Sequence, residues 1–260
     1  MAAMKRFRAL FISDVHLGTK GCQSEKLLEF LNSHDAEVIY LIGDIVDGWQ
    51  LSSAWYWPQS HNDVVQKLLR KARKGVRVIY IPGNHDEFLR AYYGTHFGGI
   101  EVIERAVHEA ADGRRYLVMH GDLFDLVVTQ ARWLALLGDK AYDIALDVNR
   151  LFNAVRRRLG FPYWSLSQWL KLKVKNAVSF IGEYERTLVT EARRAGAVGV
   201  ICGHIHHPAI HEQFGIRYIN CGDWVENCTA VAESFDGKFH ILFGTNAPSL
   251  RIESSAAQAA

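Results

Sequence analysis

Short apolar runs alternate with amphipathic segments along the first part of the chain. Three runs rich in strand-forming residues, FRALFIS, EVIYLIGD and VRVIYIPGN, are separated by SEKLLEFLN and NDVVQKLLRKARKG, which have the polar and apolar spacing of helices. Strands that are apolar throughout and alternate with helices are typical of a mostly parallel sheet covered on both faces. The pattern therefore predicts an α/β fold.

The pattern changes after a fourth apolar run, RYLVMHGD. Residues 123–195 contain almost no strand pattern, whereas apolar positions from Leu137 to Leu159 recur every three or four residues, as along one face of a long helix. Ser165 and Gln168 fit a capping box that begins another helix. Four more strand-like runs follow, VGVICGH, IRYINCGD, TAVAES and FHILFG. We therefore predict a core of residues 1–122 and 196–244, a helical insertion at 123–195, and a disordered tail at 245–260.

The composition is that of a globular protein, because 49% of the 260 residues are hydrophobic and 22% are charged. A net charge of +2 argues against a protein that binds polyanions by bulk charge. Residues 123–182 nevertheless hold nine Lys or Arg against four Asp or Glu, which indicates that the insertion meets an anion or an anionic surface. The four cysteines show no paired spacing, and the N-terminal apolar stretch is too short for a signal peptide. We therefore expect a cytoplasmic protein.

Polar residues of similar chemistry follow five of the predicted strands. The strand ends carry Asp, Asn or His side chains: Asp14 and His16, Asp44, Asn84 and His85, His120, and His204 and His206. In open α/β sheets, ligands bind at the carboxyl ends of strands, where residues far apart in sequence are neighbours. Carboxylate, amide and imidazole ligands without thiolate favour Mn²⁺, Fe or Zn²⁺. The strand ends therefore predict a metal site.

Each of these motifs is weak by itself, because a lone D-x-H or H-x-H usually binds no metal. Together, the ordered set D-x-H, G-D, G-N-H-D, H-G-D and G-H-x-H resembles the calcineurin-like metallophosphoesterase superfamily over about residues 8–243. The resemblance implies a four-layer α/β/β/α sandwich with a helical cap insertion and two divalent metal ions, with Mn²⁺ expected first. It also implies the ligands: Asp14, His16 and His206 for one ion, Asn84, His120 and His204 for the other, and Asp44 as the bridge.

The same resemblance implies a mechanism for the G-N-H-D motif. A metal-bound hydroxide would attack phosphorus, and His85 would donate a proton to the leaving oxygen or stabilise the charge of the transition state. Asp86 would accept a hydrogen bond from the other ring nitrogen of His85 and so fix its tautomer. The alternative for Asp86 is that it only caps the loop.

The strings DVHLG, GDIVDGW and GHIHHP resemble in particular the UDP-2,3-diacylglucosamine pyrophosphohydrolase branch, whose enzymes cleave a lipid-linked nucleotide sugar in lipid A biosynthesis. This implies a phosphorylated amphiphile as substrate and peripheral association with the anionic inner face of the membrane. The expected substrate contacts are Asn84, His85, Asp125, Arg157 and Lys175.

The third motif departs from that branch, since His85 stands where those enzymes typically have arginine. A soluble phosphodiesterase or phosphatase with another substrate is therefore the alternative. A nuclease is disfavoured by the mild net charge and by the cap, and a non-catalytic scaffold is disfavoured by the complete ligand set.

Overall fold

Strands predominate in the computed structural model of the chain, which describes residues 4–124, 182 and 184–244. The strands are β1 Lys5–Ile12, β2 His34–Ile42, β3 Arg77–Ile81, β4 His96–Phe97, β5 Ile100–Val102, β6 Ala106–Glu109, β7 Arg115–Val118, β8 Gly199–Cys202, β9 Ala209–Gln213, β10 Ile216–Asn220, β11 Thr229–Glu233 and β12 Phe239–Phe243. The helices are α1 Ser24–Ser33, α2 Gly48–Ser53 and α3 Gln59–Arg73, with 3-10 turns at Glu87–Tyr92 and Asp122–Phe124 and a helical stretch at 184–194.

The strands form two sheets rather than the single, mostly parallel sheet that the periodicity predicted. One sheet has the order β12-β11-β1-β2-β3-β5-β4, and the other has the order β6-β7-β8-β10-β9. The pairings that position the site are parallel: β1 with β2, β2 with β3, and β7 with β8. Antiparallel strands such as β11 and β12 complete the edges. The α/β class and the two-sheet sandwich implied by the resemblance are confirmed.

Alternating side chains of the first sheet serve two separate cores, since successive residues of a strand point to opposite faces. Leu10 and Ile12 of β1 pack in the core that includes Leu27 of α1. Phe11 of β1 packs in a second core with Tyr116 of β7, which belongs to the other sheet. The described layers are therefore helices, the first sheet and the second sheet. Because both faces of the first sheet are buried, its strands are apolar at successive positions.

The contacts within the chain divide it into two compact units, Met1–Asp122 with Leu188–Ala260, and Leu123–Thr187. All twelve strands belong to the first unit. Most of the second unit lies outside the described residues, so the predicted domain boundaries and the cap stay predictions. Within the described ranges, no helix combines the length and the apolar character needed to cross a membrane.

Candidate metal centre

The residues that follow the strand ends share an unusual backbone conformation. Seven non-glycine residues in the described part of the chain have positive φ. Five of them are predicted metal ligands with φ between 51° and 71°: Asp14, His16, Asp44, His204 and His206. A side chain in this left-handed region is strained, and such strain concentrates at functional sites, where the surrounding fold enforces it.

One group of predicted ligands comes from the loops after β1 and β8. Nε2 of His206 lies 3.2 Å from Oδ1 of Asp14, and 3.4 Å from Nε2 of His16. The potential ligand atoms of these three residues all lie within 4.8 Å of one another. Asp14 is held in place by its other oxygen, because Oδ2 accepts a hydrogen bond from the backbone N–H of His204 at 2.9 Å. The geometry fits one cation bound by a carboxylate and two imidazoles.

A second group lies beside it and is fully buried. Asp44, His120 and His204 also have ligand atoms within 4.8 Å of one another, and Nε2 of His120 lies 3.5 Å from Oδ2 of Asp44. Oδ1 of Asp44 accepts a hydrogen bond from the backbone N–H of His85 at 2.8 Å. Oδ2 of Asp44 and Oδ1 of Asn84 are buried and accept no hydrogen bond of normal geometry. A buried oxygen that accepts no hydrogen bond destabilises the fold unless a cation binds it, so these residues fit a metal ion.

Hydrogen bonds behind the imidazoles fix which ring nitrogen faces the site. Nδ1 of His120 lies 2.9 Å from the carbonyl oxygen of Ile42, and Nδ1 of His16 lies 3.1 Å from Oδ2 of Asp47. Carbonyl and carboxylate oxygens only accept hydrogen bonds, so both rings carry their proton on Nδ1. When a ring is neutral, its lone pair is therefore on Nε2, which faces the neighbouring ligands and is available to a metal.

Two glycines permit the close approach of these groups. A Cβ atom at Gly83 would lie 2.4 Å from Oδ1 of Asp44 and 2.6 Å from Nε2 of His120. Gly43 has φ of +69°, and a Cβ there would lie 2.2 Å from Nδ1 of His120. Any side chain at either position would collide with the site, which explains the Gly-Asp and Gly-Asn pairs at the strand ends.

The buried carboxylates create a strong demand for positive charge. Burial alone would raise the pKa of Asp14, but His206 lowers it to about 2. Burial likewise opposes ionisation of Asp44, yet His120 holds its pKa well below the ordinary value. Burial disfavours protonation of His120, but Asp44 and Asp14 raise its pKa to about 10. A site that attracts protons this strongly also attracts divalent cations, which compete for the same ligand atoms.

Comparison with known proteins agrees with this chemistry. The model of the calcineurin-like phosphoesterase family matches residues 7–208. The chain belongs to this family. Proteins called UDP-2,3-diacylglucosamine hydrolase are similar over most of its length. The relative from Xanthomonas campestris pv. campestris is 28% identical, covering 88% of this chain and 96% of that protein. The relative from Neisseria gonorrhoeae is 26% identical, covering 82% and 88% respectively.

Solved structures add little to the family assignment. A predicted phosphoesterase from Streptococcus pneumoniae aligns with a TM-score of 0.39 and 16% identity, covering 92% of this chain and 90% of that chain. A superposition of this quality supports no conclusion about the site. The family itself makes the protein a metal-dependent hydrolase that acts on phosphoric esters or anhydrides.

The phosphoesterase holds His85 through a residue that the sequence analysis missed. Oδ2 of Asp47 lies 2.9 Å from Nδ1 of His85, as well as 3.1 Å from Nδ1 of His16. Oδ1 of Asp47 accepts the backbone N–H of Gln50 at 2.8 Å and so caps α2. The available signal was a second carboxylate three residues after Asp44, in the same loop. Asp47 therefore lies beside Nδ1 of His85, in the position that was predicted for Asp86.

The prediction for Asp86 is wrong in its contacts. Its carboxylate is buried and accepts hydrogen bonds from the Tyr80 hydroxyl at 2.5 Å and from the backbone N–H groups of Ile45 and Gly83 at 2.8 and 2.5 Å. These contacts tie the loop after β3 to the loop after β2, which corresponds to the alternative of a loop-capping role. Both oxygens of Asp86 already accept hydrogen bonds from these donors.

Three further predicted residues, Asp125, Arg157 and Lys175, lie outside the described residues. Their contacts with substrate stay predictions. Every other predicted site residue apart from Asp86 lies in or directly beside the two ligand groups.

Proposed function

We propose that this phosphoesterase is a dinuclear metal enzyme that hydrolyses a phosphoanhydride. Asp14, His16 and His206 would hold one ion, Asn84, His120 and His204 would hold the other, and Asp44 would bridge the two. The observation that carries the proposal is the pair of adjacent ligand groups, each combining carboxylate and imidazole atoms within 4.8 Å. This donor chemistry suits Mn²⁺ first, with Fe or Zn²⁺ as alternatives.

The residues around the ions have distinct tasks in hydrolysis. When bound, two divalent cations lower the pKa of a coordinated water and polarise phosphoryl oxygens. His85 presents Nε2 toward the centre, 4.0 Å from Oδ2 of Asp44, because its Nδ1 faces Asp47. In that position, Nε2 of a protonated His85 donates to the leaving oxygen or to the phosphoryl group. Asp47 restricts the ring to that orientation.

UDP-2,3-diacylglucosamine, or a closely related lipid-linked nucleotide sugar, is the substrate we propose. Support comes from the curated relatives, which span most of the chain at 25–28% identity. The basic excess of residues 123–182 suits an anionic amphiphile and would also favour peripheral contact with an anionic membrane on its cytoplasmic side. His85, where that enzyme branch typically has arginine, favours one second candidate, a phosphodiesterase or phosphatase of another substrate.

Metal content and substrate preference test the proposal together. Wild-type protein loaded with Mn²⁺ should hold two ions per chain by mass spectrometry, and Asp44→Ala should lose at least one and abolish hydrolysis. Asp236→Ala is the matched control, since Asp236 is exposed and pairs with the exposed Lys238. Full activity without bound metal would refute the dinuclear centre.

The substrate is tested by varying the acyl chains of the diphosphate. Each buried methylene contributes about 0.8 kcal/mol, so kcat/KM should rise about fourfold per methylene while the chain fits its groove. Equal turnover of acylated and deacylated substrates would refute the lipid substrate and favour the second candidate.

A further inference from the structure

The indole of Trp49 packs against the His85 imidazole in a tilted arrangement. The two ring centroids are 4.2 Å apart, with an angle of 39° between the planes. Trp49 is anchored from the other side, because its Nε1 donates a hydrogen bond to Oε1 of Glu87 at 3.2 Å. Trp49 is nevertheless 45% exposed to solvent. A large, exposed aromatic side chain with a fixed orientation beside a reacting group requires an explanation.

The segment from Asp47 to Trp49 contacts His85 in three different ways. Asp47 binds the edge of the ring at Nδ1, 2.9 Å away. The backbone N–H of Gly48 donates to the carbonyl oxygen of His85 at 2.9 Å, and a Cβ at Gly48 would lie only 2.9 Å from that oxygen. The indole of Trp49 packs against the ring. The start of α2 therefore contacts both the backbone and the imidazole of His85.

Packing against the ring adds a restraint to the contact at Nδ1. The imidazole turns about its Cβ–Cγ bond, and Oδ2 of Asp47 opposes that turn at one edge atom only, 2.9 Å away. Any remaining turn moves Nε2, the atom directed at the centre. An aromatic surface held against the ring by the bond to Glu87 restricts the rotation.

We infer that Trp49 is a positioning residue that sets the plane of His85, and that Glu87 is its anchor. The inference rests on the proposed function, in which Nε2 of His85 serves the leaving oxygen. It gives Glu87 a role, and it explains why α2 begins immediately behind the loop that carries Asp44. A competing role for Trp49 is direct contact with an apolar part of the substrate, and the two roles differ in their kinetics.

Single and double variants separate the two roles. Trp49→Ala should lower kcat about 3- to 10-fold for a diester with an alkoxide leaving group, with KM unchanged. The loss should be smaller for a nitrophenolate leaving group, which needs no proton. It should vanish in a His85→Ala background, since a positioning residue has no effect once its partner is removed. Trp49→Phe, which keeps an aromatic ring but loses the hydrogen bond to Glu87, should recover only part of the activity.

Trp55→Ala is the matched control, because Trp55 is 77% exposed and the centroid of its ring lies 6.2 Å from that of Trp57. It should match wild type with both leaving groups. A rise in KM for Trp49→Ala, equal for both leaving groups and additive with His85→Ala, would overturn the inference and make Trp49 a substrate contact.

The proposed function and the inference can fail separately. If His85→Ala is silent while hydrolysis still depends on metal, the positioning role is refuted but the metal centre stands. If wild-type hydrolysis does not depend on metal, the proposed function itself is refuted.

Discussion

Replacing Asp47 by asparagine tests whether the carboxylate behind His16 and His85 controls how these two imidazoles face the site. In the wild type, Oδ2 of Asp47 faces Nδ1 of both His16 and His85, and Oδ1 accepts the backbone N–H of Gln50. The asparagine amide has only one oxygen. If its nitrogen faces the rings, Nδ1 of each imidazole must accept a hydrogen bond: His16 then carries its proton on Nε2, where it blocks metal binding, and His85 is confined to its neutral form, a much weaker acid. If its oxygen faces the rings, the nitrogen faces the N–H of Gln50 and the cap of α2 is lost.

The orientation with the amide oxygen facing the rings loses less free energy. The size of that loss follows from the contacts that it weakens. Losing an N-cap costs about 1 kcal/mol, chiefly in local stability. A neutral amide oxygen accepts hydrogen bonds about half as strong as those to a carboxylate, so each ring loses on the order of 1 kcal/mol. Two weakened rings correspond to a loss of about 30-fold in kcat/KM. Asp47→Ala, which removes both bonds, should lose about 10²- to 10⁴-fold.

The assay is steady-state hydrolysis of a diphosphate substrate over a series of Mn²⁺ concentrations. For Asp47→Asn, both a lower saturated kcat and a higher half-saturating metal concentration are expected, because the carboxylate serves one predicted metal ligand and one predicted acid. Asp236→Asn, an exposed carboxylate paired with Lys238, provides the control. An unchanged kcat and an unchanged metal titration would refute the orienting role of Asp47.

Two further predictions concern buried carboxylates outside the ligand groups. Asp86→Asn should lower the midpoint of thermal unfolding, because it weakens three buried hydrogen bonds, one of which joins the loops after β2 and β3, while saturated kcat falls less than in Asp47→Asn. Glu233→Gln should destabilise the protein by about 3 kcal/mol in urea unfolding at pH 7, because it removes one partner of a buried ion pair. Burial would raise the pKa of Glu233, but His108, with Arg8, lowers it below 4.5. Its stabilisation is therefore complete above about pH 4.5 and is lost as the pH falls through the folded-state pKa, so the deficit of the variant should shrink in acid.

The control for Glu233→Gln is an exposed carboxylate. Glu37→Gln removes an ion pair with Arg6 at 3.8 Å on the surface and should leave stability unchanged at both pH 7 and pH 4. A deficit of Glu233→Gln that stays constant from pH 7 to pH 4 would contradict the depressed pKa. A larger loss of kcat in Asp86→Asn than in Asp47→Asn would return the orienting role to Asp86.

The sequence predicted the elements whose burial is strongest and missed those defined by pairing alone. β1, β2 and β3 are long apolar runs and lie where they were expected. β4 has two residues, both exposed, and β5 has three residues, so neither carries a usable pattern. The split into two sheets was also invisible to periodicity, because a strand buried between helices and a sheet resembles one buried between two helical layers.

The site shows the same division between chemistry and contact. The ligand types and the order of the motifs were sufficient to bring together side chains from five strand ends. The distinction between Asp47 and Asp86 was not available, since both follow a predicted ligand by two or three residues. The positions of the Ile45 and Gly83 N–H groups in the structure show that the Asp86 carboxylate accepts their hydrogen bonds and is not the one beside His85 Nδ1.

The left-handed ligand residues show why this chemistry depends on the cores beneath it. Holding a non-glycine residue at positive φ costs on the order of 1 kcal/mol or more, so five such residues approach the net stability of a whole domain. The strands before them supply the opposing free energy, because Ile12, Ile42 and Cys202, which end β1, β2 and β8, are 0–1% exposed. Each loop that contains a residue at positive φ therefore begins at a buried, closely packed residue. The five predicted metal ligands lie two to four residues after these closely packed strand ends, which makes the precision of the centre a property of both cores.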